Sequence, residues 1–422
     1  MIMKTFLLPI VLLLTGCCAT AQTTYDEIAT SPDKAAGLYY LYPVTKSVNT
    51  KVPKGYTPFY ISHYGRHGSR YLVGEEQYAD PLALFIDAEK AGVLTEKGKE
   101  VKRRLENICL DAAERSGELT PHGVEQHKGI ARRMYEAFPE VFKGRPSISA
   151  KSSIRMRCAL SMAAFCEALK EKDPGLEISK ESALRYMKYI SVSTPQAKEY
   201  APEGARRSAE FESEIVQPER LMSVLFTDPG FTESRRRSSA WLMLNLFRIA
   251  VDAPNTPCPE RLDDLFTPEE RYKLWQYYNY HYYNEMSNPT SARGAVLENG
   301  RPLLANILES ADAAIARGDN GADLRFGHDS TIVPLLGLLK VEGCYGSTDD
   351  PHKLHEVYAD FKISPMAANL QIIFFRNKKG EVIAKLMLNE REVSLPVKTD
   401  IAPFYRWDDL RAYISDILAE KD

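Results

Sequence analysis

Two short stretches hold most of the residues able to do chemistry on an anion. ISHYGRHGSR, residues 61–70, sets Arg66, His67 and Arg70 around Gly68. GHDST, residues 327–331, sets His328 beside Asp329. A third stretch, KSSIRMR (151–157), adds Arg155 and Arg157. Guanidinium forks match phosphate oxygens two at a time and neutralise their charge. A neutral imidazole can attack as a nucleophile, and a carboxylic acid can protonate a leaving oxygen. Two histidines, several arginines and one acid, with no metal-ligand spacing, point to metal-free phosphoryl transfer through a phosphohistidine. Each motif alone has a plainer reading: Arg-His-Gly recurs by chance, and His-Asp is a common turn.

These residues need elements that bring them together. YTPFYIS (56–62) is aromatic and β-branched and reads as a strand running into the basic loop. PSISAKS (146–152) and residues 322–326 read as two more strands, each ending at a polar stretch. In an open α/β sheet, ligands bind beyond the carboxyl ends of the strands, where all three stretches would meet. Helices are expected near 81–92, over 94–117 capped by Thr95, from about 123 to 138, and along RMRCALSMAAFCEALKEKDP. From about 180 to 295 the chain is charged and aromatic with few β runs, and SAWLMLNLFRIAVDA and RYKLWQYYNYHYYNEM read as helices. Later, 301–315 is a helix, 368–396 a hairpin turning near Asn377–Gly380, and 405–418 a last helix. The pattern predicts an α/β fold: a central mixed sheet flanked by helices, with a second, mostly helical domain. Residues 22–180 and 296–422 supply the two parts of the α/β domain, and 181–295 the helical one.

The bulk properties narrow the function classes. Net charge is −3 over 422 residues, so nothing global argues for nucleic acid. Residues 1–21 read as an export signal: Lys4, an apolar run, then small residues. Two endings compete. Leu14-Thr15-Gly16-Cys17 fits a lipoprotein box with a lipid anchor on Cys17, and Ala19-Thr20-Ala21 fits cleavage before Gln22. Either implies a periplasmic protein or one anchored at the outer membrane. Cys109, Cys158, Cys166, Cys258 and Cys344 show no metal-ligand spacing; export permits disulfides but their count does not demand them, and Cys158 and Cys166, two turns apart in a helical pattern, read as buried small residues. No cofactor is implied, and the oligomeric state is not legible.

Arg66-His67-Gly68-Ser69-Arg70 together with His328-Asp329 resembles the histidine acid phosphatase family, the phytase-containing branch of the histidine phosphatases. The order and the spacing of some 260 residues between the motifs are similar too. LTPHGVEQHKGIARRM resembles the family's helix after the first strand, and SSIRMRCALSMAAF the segment bearing a further phosphate-binding arginine, which aligns with Arg157. The tail NLQIIFFRNKKGEVIAKLMLNEREVSLP is most similar to bacterial relatives of multiple inositol polyphosphate phosphatase. Those relatives usually carry His-Ala-Glu as the late motif, and this chain has His328-Asp329.

The resemblance implies His67 as nucleophile, Arg66, Arg70, Arg157 and His328 as phosphate ligands, and Asp329 as proton donor. It implies a small phosphomonoester substrate, with inositol polyphosphates such as phytate foremost and a broad acid or sugar phosphatase as the alternative. An Asp329 carboxyl beside a phosphate dianion is expected to titrate high. His63 is expected to be a buried structural residue, Gly68 to serve close backbone approach, and Thr331 to cap a helix from Ile332. His122 and His127 share no ligand-like face. Arg132 and Arg133 are read as rim or surface residues. A phosphate-binding protein without catalysis would need neither nucleophile nor acid, and a carbohydrate-binding lipoprotein would leave both motifs unexplained.

Overall fold

The computed structural model describes residues 23–44 and 49–420, so the leader and Cys17 lie outside the described residues. One mixed sheet organises the chain. Its strands are β1 (Thr57–Arg66), β2 (Ser147–Ser152), β3 (Ile178–Ser182), β4 (Gly321–Gly327), β5 (Asn369–Arg376), β6 (Val382–Leu388), β7 (Arg391–Val393) and β8 (Tyr405–Arg406). The order is β3-β2-β4-β1-β5-β6-β7, with β8 paired to β6. The first four run parallel, and β5 onward is antiparallel. The strands expected near 56–62, 146–152 and 322–326 and the late hairpin therefore share one sheet. The hairpin turns where expected, with the Gly380 amide on the Asn377 carbonyl and φ of 85° at Gly380.

Both faces of the sheet are buried, and the side chains alternate between them as the two-residue period requires. Ile61, Ile148, Leu324, Ile373 and Phe375 join a core with Ile130, Met134, Phe165 and Leu169, from the helices Pro121–Ala137 and Met156–Lys172. Tyr60, Tyr64, Ile372 and Phe374 face the other way, into a larger core shared with the helices Arg301–Arg317, Asp329–Leu338 and Trp407–Ala419. That core continues into a mostly helical region containing the helices Pro195–Ile215, Ser239–Asp252 and Pro268–Met286.

Two expected details changed. Strand β1 runs on through His63 to Arg66, so the first arginine belongs to the sheet edge and not to a loop. The late helix begins at Asp329, with His328 as its cap residue; Thr331 is buried inside it and donates its hydroxyl to the Ile190 carbonyl at 3.1 Å. The Thr95 cap forms as expected, accepting from the Gly98 amide.

His63 is buried as expected, and His127 is buried with it among Phe165 and Phe326, at ring separations of 5.1–5.7 Å. No ring nitrogen of either histidine makes a well-formed hydrogen bond. Burial pushes both imidazoles down to about 3. The unfolded chain binds these protons from roughly pH 6.5 downward, while the folded chain does not until about pH 3. Stability is thus complete above the unfolded value and is lost as pH falls through this window. The slope is about 1.4 kcal/mol per pH unit for each imidazole. Urea titrations between pH 6.5 and 4 should show this fall, and His127→Phe should flatten it by one imidazole's share.

Candidate active site

The register of β1 against β4 builds the site. These strands are parallel neighbours, and Arg66 lies opposite Gly327. One step further along each strand are His67 and His328, whose ring centroids are 5.6 Å apart. The His67 amide donates to the Gly327 carbonyl at 3.0 Å and locks the two strand ends together. On the far side of β4, β2 ends with Ser152 opposite Phe326, and the helix that follows carries Arg157. Three adjacent parallel strands thus deliver all three chemical stretches to one edge, in keeping with the carboxyl-end rule.

The loop after β1 is held on every side. The Gly68 amide donates to Ser161 Oγ at 3.1 Å. Ser69 is fully buried; its amide donates to Gln126 Oε1 at 2.9 Å and its hydroxyl to Asn255 Oδ1 at 2.6 Å. Thr120 caps the helix Pro121–Ala137 and sends both its amide and its hydroxyl to the Ser69 carbonyl, at 2.9 and 3.1 Å. Gly68 is glycine because of close approach: a Cβ there would lie 2.5 Å from the Gly123 carbonyl oxygen and 2.6 Å from its Cα. Ser69 therefore clamps the loop and does not face a ligand.

Each charged group has a defined setting. The Arg66 side chain is almost wholly buried, donating to the carbonyls of Leu38 and Ser364 at 2.6 and 2.7 Å and pairing with Asp329 at 2.7 Å. Arg70 lies over the Tyr39 ring, 5.3 Å from its centroid. Arg157 is half-buried, and Arg155 is exposed. His67 Nδ1 lies 2.9 Å from the Gly68 carbonyl. A hydrogen donated there leaves Nε2 with a free lone pair. Burial, then Arg66, Arg70, Arg157 and His328, push His67 well below its ordinary value. His328 Nε2 meets Ser153 Oγ at 3.1 Å and lies 3.6 Å from Cys158 Sγ; burial, helped by Arg157 and Arg66, pushes this ring down to about 4.

Asp329 departs from the expected high titration. Burial pushes its carboxyl up, but Arg66, His328, Arg70 and the Ser330 amide outweigh burial and leave it below the ordinary value. The expectation assumed a phosphate dianion as the dominant neighbour; here the dominant charge is Arg66.

The Arg66, Arg70 and Asp329 side chains open on a cavity of about 830 Å³, roofed by the helical region through Lys198, Arg248, His281 and Glu285. All six residues expected at the site thus lie at or beside one strand edge. His63 and His127 lie in the core behind it. Arg133 is committed to Glu390 at 2.7 Å and Arg132 to Glu171 at 2.8 Å. Among the described residues no group of three or more His, Cys, Asp or Glu is placed to hold a metal ion. The five cysteines among the described residues are free thiols.

A model of the histidine phosphatase superfamily (branch 2) matches residues 65–389. The chain belongs to this superfamily. As a branch-2 histidine phosphatase it is a hydrolase of phosphomonoesters, consistent with the phosphate-matched groups at its strand edge. It is 22% identical to multiple inositol polyphosphate phosphatase 1 of Gallus gallus, over 94% of this chain and 89% of the relative. Its fold matches that of Bifidobacterium longum multiple inositol polyphosphate phosphatase in complex with inositol hexasulfate, with a TM-score of 0.76. That match is 19% identical and covers 90% of this chain and 97% of the other. The phytase from D. castellii matches at a TM-score of 0.72 and 16% identity, over 92% and 86% of the two chains.

Sequence reasoning missed the residues that hold this branch-2 site in place. Ser153 on His328, Ser161 on Gly68, and Gln126 and Asn255 on Ser69 are polar residues whose partners lie 57–186 positions away. Ser153, Ser161 and Gln126 lie within stretches singled out above, but nothing local marks what they hold, and nothing local marks Asn255 at all.

Proposed function

We propose that the chain hydrolyses inositol polyphosphates, phytate foremost, through a phosphohistidine on His67. The observation that carries this reading is the juxtaposition of His67 and His328, 5.6 Å apart, with Asp329 paired to Arg66 in the wall of one cationic cavity. In the first step His67 Nε2 forms a bond to phosphorus, and the bond to the ester oxygen breaks. Arg66, Arg70, Arg157 and His328 hold the remaining oxygens, where fixed positive charge stabilises the transition state. A protonated Asp329 gives its proton to the leaving alkoxide. Water then attacks the phosphohistidine, Asp329 recovers a proton, and phosphate leaves.

Bound phosphate shares the charge of Arg66, so the Asp329 carboxyl rises from its ligand-free position and the acid form becomes available in the complex. The low-titrating His67 stays neutral where an ordinary imidazole would be charged, so mildly acidic operation costs no nucleophile. Export, with or without a lipid on Cys17, is read from the leader sequence. The alternative substrate class is a broad range of acid or sugar phosphates, favoured by the aspartate where inositol polyphosphate relatives carry His-Ala-Glu.

A phosphate-release screen over phytate, sugar phosphates and nucleotides at several pH values tests the reading. Phytate should show the highest kcat/KM, at mildly acidic pH. A sugar phosphate or nucleotide in first place would transfer the assignment to the alternative. Exhaustive chelation should leave turnover of a simple phosphomonoester unchanged; phytate binds divalent ions itself and is unsuited to that arm. Activity lost to chelation and restored by one metal would overturn the metal-free mechanism.

A further inference from the structure

Arg66 is held by three acceptors, and two of them are backbone carbonyls from distant parts of the chain, Leu38 and Ser364. One buried residue touches both segments. Asp360 opens the one-turn helix Asp360–Ile363, and its backbone carbonyl takes the Ser364 amide at 2.8 Å. Its carboxyl group presses on the other segment. A Cβ at Gly37 would lie 2.4 Å from Asp360 Oδ2 and 2.9 Å from Oδ1, and Gly37 holds φ at 56°. Both facts call for glycine there. The next residues, Leu38 and Tyr39, line the active cavity, and Tyr39 is the ring beneath Arg70.

The carboxyl group is fixed from the helical region. The Trp275 indole N–H donates to Asp360 Oδ1 at 3.0 Å, and the Phe361 amide donates to the same oxygen at 2.8 Å. The Asp360 amide donates to Asn279 Oδ1 at 3.0 Å. Trp275 and Asn279 both belong to the helix Pro268–Met286, and all three side chains are buried. Asp360 Oδ2 has no well-formed hydrogen bond, so it acts on the turn at Gly37 by contact and charge. Burial pushes the carboxyl up to about 6, while the Trp275 indole, the Phe361 and Leu38 amides and Arg66 favour its charged form. At pH 7 it is therefore ionised. Burying a carboxylate is unfavourable. Here the charge is set against the turn that holds the Arg66 guanidinium.

We propose that Asp360 is a positioning residue for Arg66: its carboxylate holds the turn at Gly37 and Leu38, and the Leu38 carbonyl in turn fixes the guanidinium at the phosphate. The inference rests on the reading of Arg66 as a phosphate ligand. It makes Trp275 part of the support of the site, although the indole reaches Arg66 only through Asp360. Asparagine at position 360 would keep the volume of the side chain. Whichever way its amide turned, the NH2 group would meet either the Trp275 and Phe361 donors or the turn carrying the Leu38 amide.

The test is a double-mutant cycle at pH 7 in the full chain, with Asp360→Asn and Arg66→Gln alone and together. The readouts are kcat/KM for 4-nitrophenyl phosphate and its inhibition by inorganic phosphate. Arg66→Gln should lower kcat/KM about 10²–10³-fold, as loss of one transition-state donor does. Asp360→Asn alone should lower it about 10- to 100-fold, as displacement of a binding group does, and should weaken inorganic phosphate in the same direction. In the Arg66→Gln background Asp360→Asn should change kcat/KM by less than about 2-fold, because the group it positions is gone. Trp275→Phe should give a smaller loss that also vanishes in that background. If Asp360→Asn fails to fold, Trp275→Phe completes the cycle, and Arg66→Lys replaces Arg66→Gln if that variant fails. A loss from Asp360→Asn of equal size in both backgrounds would mark a general structural role and overturn the inference. So would an Asp360→Asn enzyme with wild-type kinetics beside an impaired Arg66→Gln enzyme. If Arg66→Gln changes neither turnover nor phosphate inhibition, the reading of Arg66 as a ligand fails, and the positioning role falls with it.

Discussion

His67→Ala should reduce kcat by at least about 10⁴-fold on every phosphomonoester, because no other side chain can take over the covalent step. His328, the nearest imidazole, is engaged with Ser153 on a ring pushed down to about 4. Phosphate binding should persist, since Arg66, Arg70 and Arg157 remain. Arg66 in particular is fixed by the Leu38 and Ser364 carbonyls, which the substitution does not touch. Removing a ring from beside three guanidinium groups also removes bulk but no charge, so inorganic phosphate should inhibit or bind within several-fold of wild type. Isothermal titration with phosphate, beside a turnover assay, separates the two effects. A denaturing quench in alkaline detergent of wild type during turnover of a ³²P-labelled ester should trap label on protein that alkali retains and acid releases, and the variant should trap none. Substantial turnover by the variant would remove His67 from the nucleophile's place.

The site was legible because its residues cluster in sequence at the ends of strands with strong β character. YTPFYIS and ADLRFG declare themselves by aromatic and apolar content, and each runs directly into a motif. What was not legible has two physical sources. Some elements carry no pattern of their own. Strand β3, ISKES, is a mostly polar edge strand defined by its pairing with β2, and β7 is three residues long. The helix Pro195–Ile215 contains Pro202 and Gly204, which weigh against a helix locally, yet Tyr200, Phe211 and Ile215 bury against the helical region. The second source is distance. Asn255 reaches Ser69 across 186 positions, and Arg248 comes to the cavity from a helix that reads simply as apolar. The charge state of Asp329 belongs to the same class, since it depends on Arg66, which the sequence shows only as a fellow motif residue.

Asp329→Asn should separate substrates by their leaving groups. An inositol alkoxide needs its proton in the transition state, and general acid catalysis is worth roughly 10²–10⁴-fold. Nitrophenolate is a weak base and departs with little help. The loss in kcat/KM should therefore be of that order on the inositol ester and distinctly smaller on the aryl ester, measured at one mildly acidic pH. The ion pair between Asp329 and Arg66 adds a second consequence. Asparagine keeps the size of the side chain but withdraws the negative charge that competes with phosphate for Arg66, and Arg66 stays in place on its two carbonyls. Both esters should then bind somewhat more tightly, which partly masks the chemical loss in kcat/KM but not in single-turnover rates. A residue that merely positioned the helix Asp329–Leu338 would instead weaken both esters alike, because the adjoining His328 would shift with it. Equal losses on the two esters, with no gain in phosphate affinity, would remove Asp329 from the acid's role. The proton would then have to come from another group at the cavity, and the aspartate standing where relatives have His-Ala-Glu would be explained by its hold on Arg66.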